Sequence, residues 1–475
     1  MNLFIVESPT KAKTIAKYLG KGWIVKATLG HIKDLPEDSL GVDKESLEPK
    51  YVWVRGKKKL VEEIKRLSSK AEEVYLGTDP DREGEAIAYF LAVELRRSAK
   101  KIKRAVFYEI TKSALISSIE KAGKINMNLV YSQFARRVLD RLIGYELSPF
   151  LWKEFKVRTL SVGRVQSPAL RLIVEREKEI QSFKQKKYYY IKVEFEKDGI
   201  TFYATLNQRF EKPDNAQPFL KKLRSAFFEV KSIKTKREEI PPPKPFNTAS
   251  LQAEASKTLS LSVDKVQKIA QKLYENGYIT YPRTDSYRMN KEKAEEFMRY
   301  IKKVFGEEYV GRLREFREKP LAQGAHECIR PTQLKESPQE PLERALFELI
   351  VRRTLASLSA PAVKEKTLVE ITPTGEENTD LFAEGVKVLF EGWTKIYPTE
   401  LEQRDLPQLE EGEVLKPKRV FIEERKTQPP PRYTEGTLVK TLERLGIGRP
   451  STYASLVKTL KDRGYVVVEK GELKP

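Results

Sequence analysis

Apolar positions change their period several times along the chain, and the changes outline its architecture. Leu3–Val6 is a short, continuous apolar run that predicts a strand, and Ser8-Pro9 behind it reads as the N-cap and first residue of a helix reaching about Leu19. Leu60–Leu67 has helical spacing, Val74–Leu76 is again a short apolar strand, and Glu85–Arg97 is an amphipathic helix. Strands alternating with helices over residues 1–112 predict a largely parallel α/β sheet. Residues 113–185 read as helical and Arg-rich. From Tyr188 the period drops to two: Tyr188–Phe195, Thr201–Leu206 and Ala226–Ile233 alternate as strands with turn residues between them. Pro241-Pro242-Pro243-Lys244-Pro245 is a stiff linker and a boundary. Residues 246–360 are helical around one short extended piece, 365–400 return to strand alternation, and Pro429-Pro430-Pro431 precedes closing helices. β-rich stretches on both sides of the helical block predict one β domain with the block inserted in it. A weak internal echo pairs a helix, Gly277 and Tyr278–Tyr281 with a helix, Gly464 and Tyr465–Val468. Either both are the last helix and wing of a winged-helix module, or they repeat the ordinary order of helix, glycine cap and strand.

Composition narrows the function classes. At 475 residues the chain exceeds one hydrophobic core, so three or four domains are expected. No apolar run approaches the ~18 residues of a membrane span, and MNLFIVESPTK puts an acid and a proline where a signal peptide needs an apolar core, which predicts a cytoplasmic protein. One Cys and two His exclude Cys₄ and Cys₂His₂ zinc sites, so any metal is expected on carboxylates. The absence of GxxxxGK[ST] argues against a P-loop ATPase. Lys+Arg 89 against Asp+Glu 68 leaves +21, which points to a polyanionic partner.

Three short segments carry candidate chemistry. Asp79-Pro80-Asp81-Arg82-Glu83-Gly84-Glu85 follows the strand Val74–Leu76, where open α/β sheets place ligands. Three acids spaced by two repel one another unless something positive sits among them, and a hard cation such as Mg²⁺ suits them; a solvated acidic loop is the plainer alternative. Glu7-Ser8-Pro9-Thr10-Lys11 also follows a strand. Lys11 and Lys13 oppose the helix dipole in the first turn, an objection that a bound phosphate would reverse; Glu7 could share the site as a proton donor or acceptor. In Tyr281-Pro282-Arg283-Thr284-Asp285-Ser286, Pro282 favours extended chain, which puts Arg283 on the same side as Tyr281. A tyrosine can be a covalent nucleophile, and an arginine beside it can stabilise both phenolate and phosphate. His31 and His326 stand beside Gly, Lys or Arg in loop-like sequence, which suits phosphate contact; Cys328 reads as filling a small buried slot.

Together Glu7–Lys11, Gly30-His31, Asp79–Glu85, Gly163-Arg164-Val165-Gln166-Ser167, Thr280–Ser286, His326–Thr332, Arg432-Tyr433 and Gly446–Ala454 resemble the type IA DNA topoisomerases of the bacterial topoisomerase I kind, in the family's order and over essentially the whole chain. The resemblance implies a four-domain toroidal core. It comprises a toprim domain at 1–112, a helical DNA-binding domain at 113–187 plus 405–475, and a β-rich arch at 188–245 plus 361–404. A helical domain at 246–360, with winged-helix-like parts, carries the nucleophile. It implies that Tyr281 attacks a backbone phosphate to form a 5′-phosphotyrosyl link, with Glu7 as general acid/base, Lys11 and Arg283 stabilising the phosphate, and His326 near the nucleophile. Asp79, Asp81 and Glu83, with Glu7, would hold Mg²⁺. Expected DNA contacts are His31, Arg82, Arg136, Arg137, Asp140, Arg141, Arg164, Gln166, Ser167, Arg330, Arg449, Ser451 and Tyr453. The implied activity is ATP-independent relaxation of negatively supercoiled DNA by single-strand cleavage, passage and religation, performed by a nucleoid-associated monomer. Bacterial members usually carry Cys₄ modules after the core, which this chain lacks, and its last residues resemble the start of another core motif, so it reads as a four-domain core cut slightly short. A toprim-type nuclease or primase that leaves Tyr281 idle, and a non-catalytic binder of single-stranded nucleic acid, remain the alternatives.

Overall fold

The computed structural model describes residues 1–317, 326–376 and 379–475. The N-terminal apolar runs form a four-stranded parallel sheet in the order Trp23–Ala27, Asn2–Val6, Val74–Leu76, Ile102–Arg104. Leu3, Phe4, Ile5 and Val6 are all buried because both faces of the sheet are covered, the condition under which a strand becomes a continuous apolar run. Their alternation decides what covers them. Leu3 and Ile5 pack with Val61, Ile64, Ile87 and Leu91 of the helices Lys57–Lys70 and Arg82–Leu95. Phe4 and Val6 face the other way, toward Ile15 of the helix Pro9–Leu19 and toward the distant segment 246–350.

That segment holds the helices Thr248–Leu259, Val263–Glu275, Lys291–Phe305 and Pro341–Ser357 around the extended stretch through Tyr281. Val266, Ile269, Leu273, Tyr274, Ile279, Tyr281, Leu346 and Phe347 join Phe4, Val6, Ile15, Tyr75 and Phe107 in one buried cluster. The parallel sheet and the helical block are thus sealed face to face along an apolar seam.

A seven-stranded antiparallel sheet runs Val414–Leu415, Phe228–Ile240, Ala362–Pro373, Leu381–Phe390, Ile200–Leu206, Lys187–Lys197, Arg419–Lys426. Its strands come from both sides of the helical block, so the block is inserted in it, as the change of period predicts; the expected end of the arch at 404 is corrected, because Val414–Leu415 and Arg419–Lys426, short or rich in charge, pair onto the two edges of the sheet. Ile191, Val193 and Phe195 are buried at every second position of one strand. The reading of residues 207–225 as turns is corrected: Pro213–Arg224 is a helix whose Ala216, Leu220 and Leu223 cover the sheet, a stripe too short to stand out beside Lys221, Lys222 and Arg224.

The long helix Met127–Phe155 crosses from the parallel sheet toward Gln166–Ser182 and the closing helices Glu435–Leu445 and Tyr453–Asp462. The internal echo is half realised. Val467–Glu469 and Glu472–Lys474 form a hairpin behind Tyr453–Asp462, whereas residues 278–281 make only the isolated bridge Ile279–Pro331, since Pro282 removes the donor a strand would need next. Among the described residues no helix is long and apolar enough to cross a membrane.

Candidate active site

Two loops at the ends of parallel strands and the extended Tyr281 segment meet on the seam. Ser8 caps the first helix by accepting the Lys11 N–H at 3.1 Å, and Asp81 caps Arg82–Leu95 by accepting the Gly84 N–H at 2.8 Å. This helix starts earlier than its apolar stripe because its first turn is polar, which brings Glu83 into that turn. A Cβ at Gly84 would lie 2.0 Å from the Asp79 carbonyl oxygen, so only glycine lets the acidic loop fold back over the helix start. Arg104 fixes the same loop from beneath. Its buried guanidinium donates to the carbonyls of Leu76, Thr78, Asp79 and Ala105 and pairs with Glu85 at 2.9 Å.

Within this frame the Lys11 ammonium, wholly buried, donates to Glu7 Oε1 at 3.0 Å and to Asp79 Oδ1 at 2.9 Å. It faces carboxylates rather than an outward phosphate, and Lys13 stays exposed. The Tyr281 hydroxyl donates to Asp81 Oδ2 at 2.6 Å, and the Tyr281 N–H donates to the Tyr108 carbonyl at 2.8 Å. Arg283 Nη1 stands 4.0 Å from Asp81 Oδ2, on the same side as Tyr281, and the His326 ring centroid is 6.2 Å from that of Tyr281. A cavity of about 300 Å³ lined by Asp81, Arg82, Arg283, His326, Arg449 and Ser451 opens on this point, and a second of about 430 Å³ adjoins it over Glu7, His31, Asp79, Glu83 and Arg136.

The electrostatics divide the carboxyls. Burial, and then the neighbouring Asp79, pushes the Glu7 carboxyl well above its usual range. Burial would raise Asp79 too, but the Lys11 ammonium, the hydrogen bond with Glu7 and the charge of Arg283 together bring that carboxyl down to about 2. Burial opposes the Lys11 charge, and Asp79 with Glu7 more than restores it. Burial followed by Asp81 raises the Tyr281 phenol well above 10, so it carries its proton. Burial lowers His326, which is neutral at neutral pH. Burial and Arg136 both disfavour the charge of Arg82 at the cavity wall, an arrangement that an anion would relieve. Buried polar atoms without a hydrogen-bond partner among the described residues gather here as well: Glu7 Oε2, Gln133 Oε1, Arg136 Nε, Tyr274 OH, Arg283 Nε and His326 Nδ1. Such atoms are costly unless a ligand meets them.

As placed, the acids do not fit a shared cation. Lys11 stands between Glu7 and Asp79, Tyr281 occupies Asp81, and Glu83 accepts from His31 at 3.2 Å, Gln133 at 3.1 Å and Arg136 at 3.1 Å. Burial raises the Glu83 carboxyl, yet these donors, His31 first, bring it down to about 2. Among the described residues no three His, Cys, Asp or Glu side chains converge as metal ligands.

The expected DNA contacts are spread unevenly. Arg136 and Arg164 share Asp140, Arg137 holds Asp34 at 2.6 Å, and Arg141 holds the carbonyls of Pro36 and Ser39. Arg136, Arg137 and Arg141 tie the long helix to Glu83 and to residues 34–39, and Arg164 ties the Gly163 loop to the long helix. Gln166 and Ser167 close their own loop through Ser161 and Gly163. Tyr453 is buried, whereas Arg449 and Ser451 face the first cavity. Arg330 departs from its expectation: 2% exposed, it is saturated by Glu327 at 2.8 Å and by Glu109 at 2.9 Å across the seam, and offers no free face to a phosphate. Cys328 is fully buried. Gln133, Arg104, Phe107, Gln271 and Tyr274 belong to the site but carry no sequence signal of their own. The last two could have been found as an i, i+3 pair on the helix leading to Tyr281.

Residues 2–110 match the family described as Toprim domain and residues 124–475 the family described as DNA topoisomerase. The chain is 62% identical over its whole length, and over 89% of the relative's, to a protein from Aquifex aeolicus named DNA topoisomerase 1. It is similar in structure to full-length topoisomerase I from Thermotoga maritima, with a TM-score of 0.87 and 41% identity over all of this chain and 80% of that one.

Proposed function

Because the chain belongs to the bacterial topoisomerase I family of type IA DNA topoisomerases and is a type I topoisomerase acting on DNA, we propose that Tyr281 is the residue that cuts the strand. The phenol oxygen attacks a backbone phosphorus, the bond to the 3′ oxygen breaks, and the 5′ phosphate stays on Tyr281. The phenol proton passes to Asp81, whose Oδ2 already accepts it at 2.6 Å. Glu7, kept protonated by burial and by Asp79, gives its proton to the leaving 3′ oxygen; religation runs both transfers backward. Arg283 stabilises the charge on the phosphate in transit, Lys11 adds its positive charge from behind Glu7 and Asp79 without touching the phosphate, and His326 and Arg82 line its place. The bond energy is conserved in the tyrosyl ester, so no ATP is needed. The observation that carries this reading is the Tyr281 hydroxyl seated on Asp81; an idle tyrosine in a nuclease or primase would have no reason to sit there.

Magnesium is proposed only for an arrangement in which Lys11, Tyr281 and the cations around Glu83 have released Asp79, Asp81 and Glu83 in turn; no step of cleavage runs through it. Chelation with EDTA is therefore expected to leave single-strand cleavage measurable while plasmid relaxation stops, and cleavage that vanishes with the metal would contradict the assignment. The site's carboxylates already have their counter-charges without an ion. The domain limits, the monomer and the cytoplasmic, nucleoid-associated location belong to the same proposal.

The Tyr281→Phe variant tests the reading. It is expected to bind a single-stranded oligonucleotide as the unaltered protein does and to form no covalent adduct. Continued attachment to a 5′ phosphate would overturn the assignment.

A further inference from the structure

The buried cation of the site has neighbours that the proposed chemistry does not use. Lys11 Nζ lies 4.9 Å from the centroid of the Phe107 ring and 5.6 Å from that of Tyr274. Phe107 follows the last strand of the parallel sheet; Tyr274 comes from the helix Val263–Glu275 on the far side of the seam. The Tyr274 ring also meets the Tyr281 ring edge-on at 5.1 Å, so one aromatic side chain touches both the phosphate-stabilising cation and the nucleophile. Both rings are buried, and the Tyr274 hydroxyl has no partner among the described residues, so what fits Tyr274 to this position is its ring.

We infer that Phe107 and Tyr274 are positioning residues for strand cleavage: their faces seat the Lys11 ammonium by cation–π attraction, and the seat is complete only while the seam is closed. The inference rests on the proposed role of Lys11. A buried ammonium needs negative potential on every side. Glu7 Oε1 and Asp79 Oδ1 supply it on two sides and the ring faces on the others, which fixes the ammonium's position as well as its charge. The desolvated setting is where such contacts are strongest. When the seam parts, Lys11 loses Tyr274, and Asp79 loses Gln271, which donates to its Oδ2 at 3.4 Å. The cation is then no longer held in the geometry that cleavage and religation require, so transfer chemistry is confined to the closed state.

The test keeps shape and changes only the ring's charge distribution. Residue 274 of the full chain is replaced by phenylalanine and then by its mono-, di- and trifluorinated analogues, with a parallel series at residue 107. Adduct formation is timed with saturating labelled single-stranded DNA, and binding is measured by anisotropy. Tyr274→Phe is expected to cleave within about threefold of the unaltered protein. Each added fluorine should then slow cleavage, to on the order of tenfold for the trifluoro ring, with DNA affinity constant. A flat series overturns the inference, and so does a loss of rate matched by loss of binding. Failure of the unaltered protein itself to form an adduct would instead overturn the assignment of Tyr281.

Discussion

Glu7 and Asp79 share one cation and divide two charge states between them, and that division gives the sharpest prediction at the scale of residues. The carboxyl of Glu7 is raised, by burial first and by Asp79 second, so its acid form persists to higher pH than an exposed glutamate would allow. Cleavage that needs this proton should be fastest below the raised value and fall by about tenfold per pH unit above it. Glu7→Gln should slow adduct formation on the order of a hundredfold or more and remove that alkaline limb. A rate–pH profile unchanged by the substitution would contradict the role. The partnership of Tyr281 and Arg283 was legible because extended chain puts residues two apart on one side. The partners of Lys11 were not. Its sequence position says only that it opposes a helix dipole, and the two carboxylates that reverse the objection arrive from the preceding strand end and from the next strand over.

At the scale of elements, the strand and cap that open the chain could be read because each has a local cause: a continuous apolar run for a doubly covered strand, and Ser8 at a helix start, whereas the Asp81 cap was hidden behind a polar first turn. What escaped was whatever depends on long-range placement. Arg104 is one of 89 basic residues, and nothing near it in sequence announces that it carries the acidic loop. Arg104→Met would leave Glu85 buried without its counter-charge and take a donor from the carbonyls of Thr78, Asp79 and Ala105, while Leu76 keeps the Ala105 N–H. A loss of about 3–5 kcal/mol in urea unfolding is expected, together with loss of cleavage. A variant as stable as the parent would show that the loop holds its shape unaided. Gly277 illustrates the same limit. Its φ of +83° is a readable helix end, but a Cβ there would come within 2.7 Å of the Ile110 carbonyl across the seam, which only the fold reveals.

Over the whole molecule, the proposed strand passage requires the inserted helical block to part from the parallel sheet, and the seam states what opposes that. An apolar cluster shared by both bodies is joined by the Arg330–Glu109 pair and by the Tyr281 N–H bond to Tyr108. Arg330 keeps Glu327 on its own block when Glu109 departs, so the pair is a separable latch. Glu109→Gln should favour the open arrangement. Spin labels at positions 18 and 300, which stand on opposite lips of an 830 Å³ groove over the seam, should show a larger fraction of long distances in that variant. An unchanged distribution would mean that the apolar cluster alone keeps the seam shut. The surplus of +21 also takes on a finer meaning. Arg136 and Arg137 are tied to Glu83 and Asp34, acids carried by the N-terminal α/β part, while Arg82, Arg283 and Arg449 stand at the cavity wall.

The most direct test of the central claim is to incubate the protein with a single-stranded oligonucleotide labelled at its 3′ end, denature, digest, and identify the labelled peptide by mass spectrometry. The account predicts one adduct, a 5′ phosphate esterified to Tyr281 within Thr280–Ser286, formed without ATP. Label attached to any other residue, or 5′-phosphate ends released with no protein bound, would contradict it.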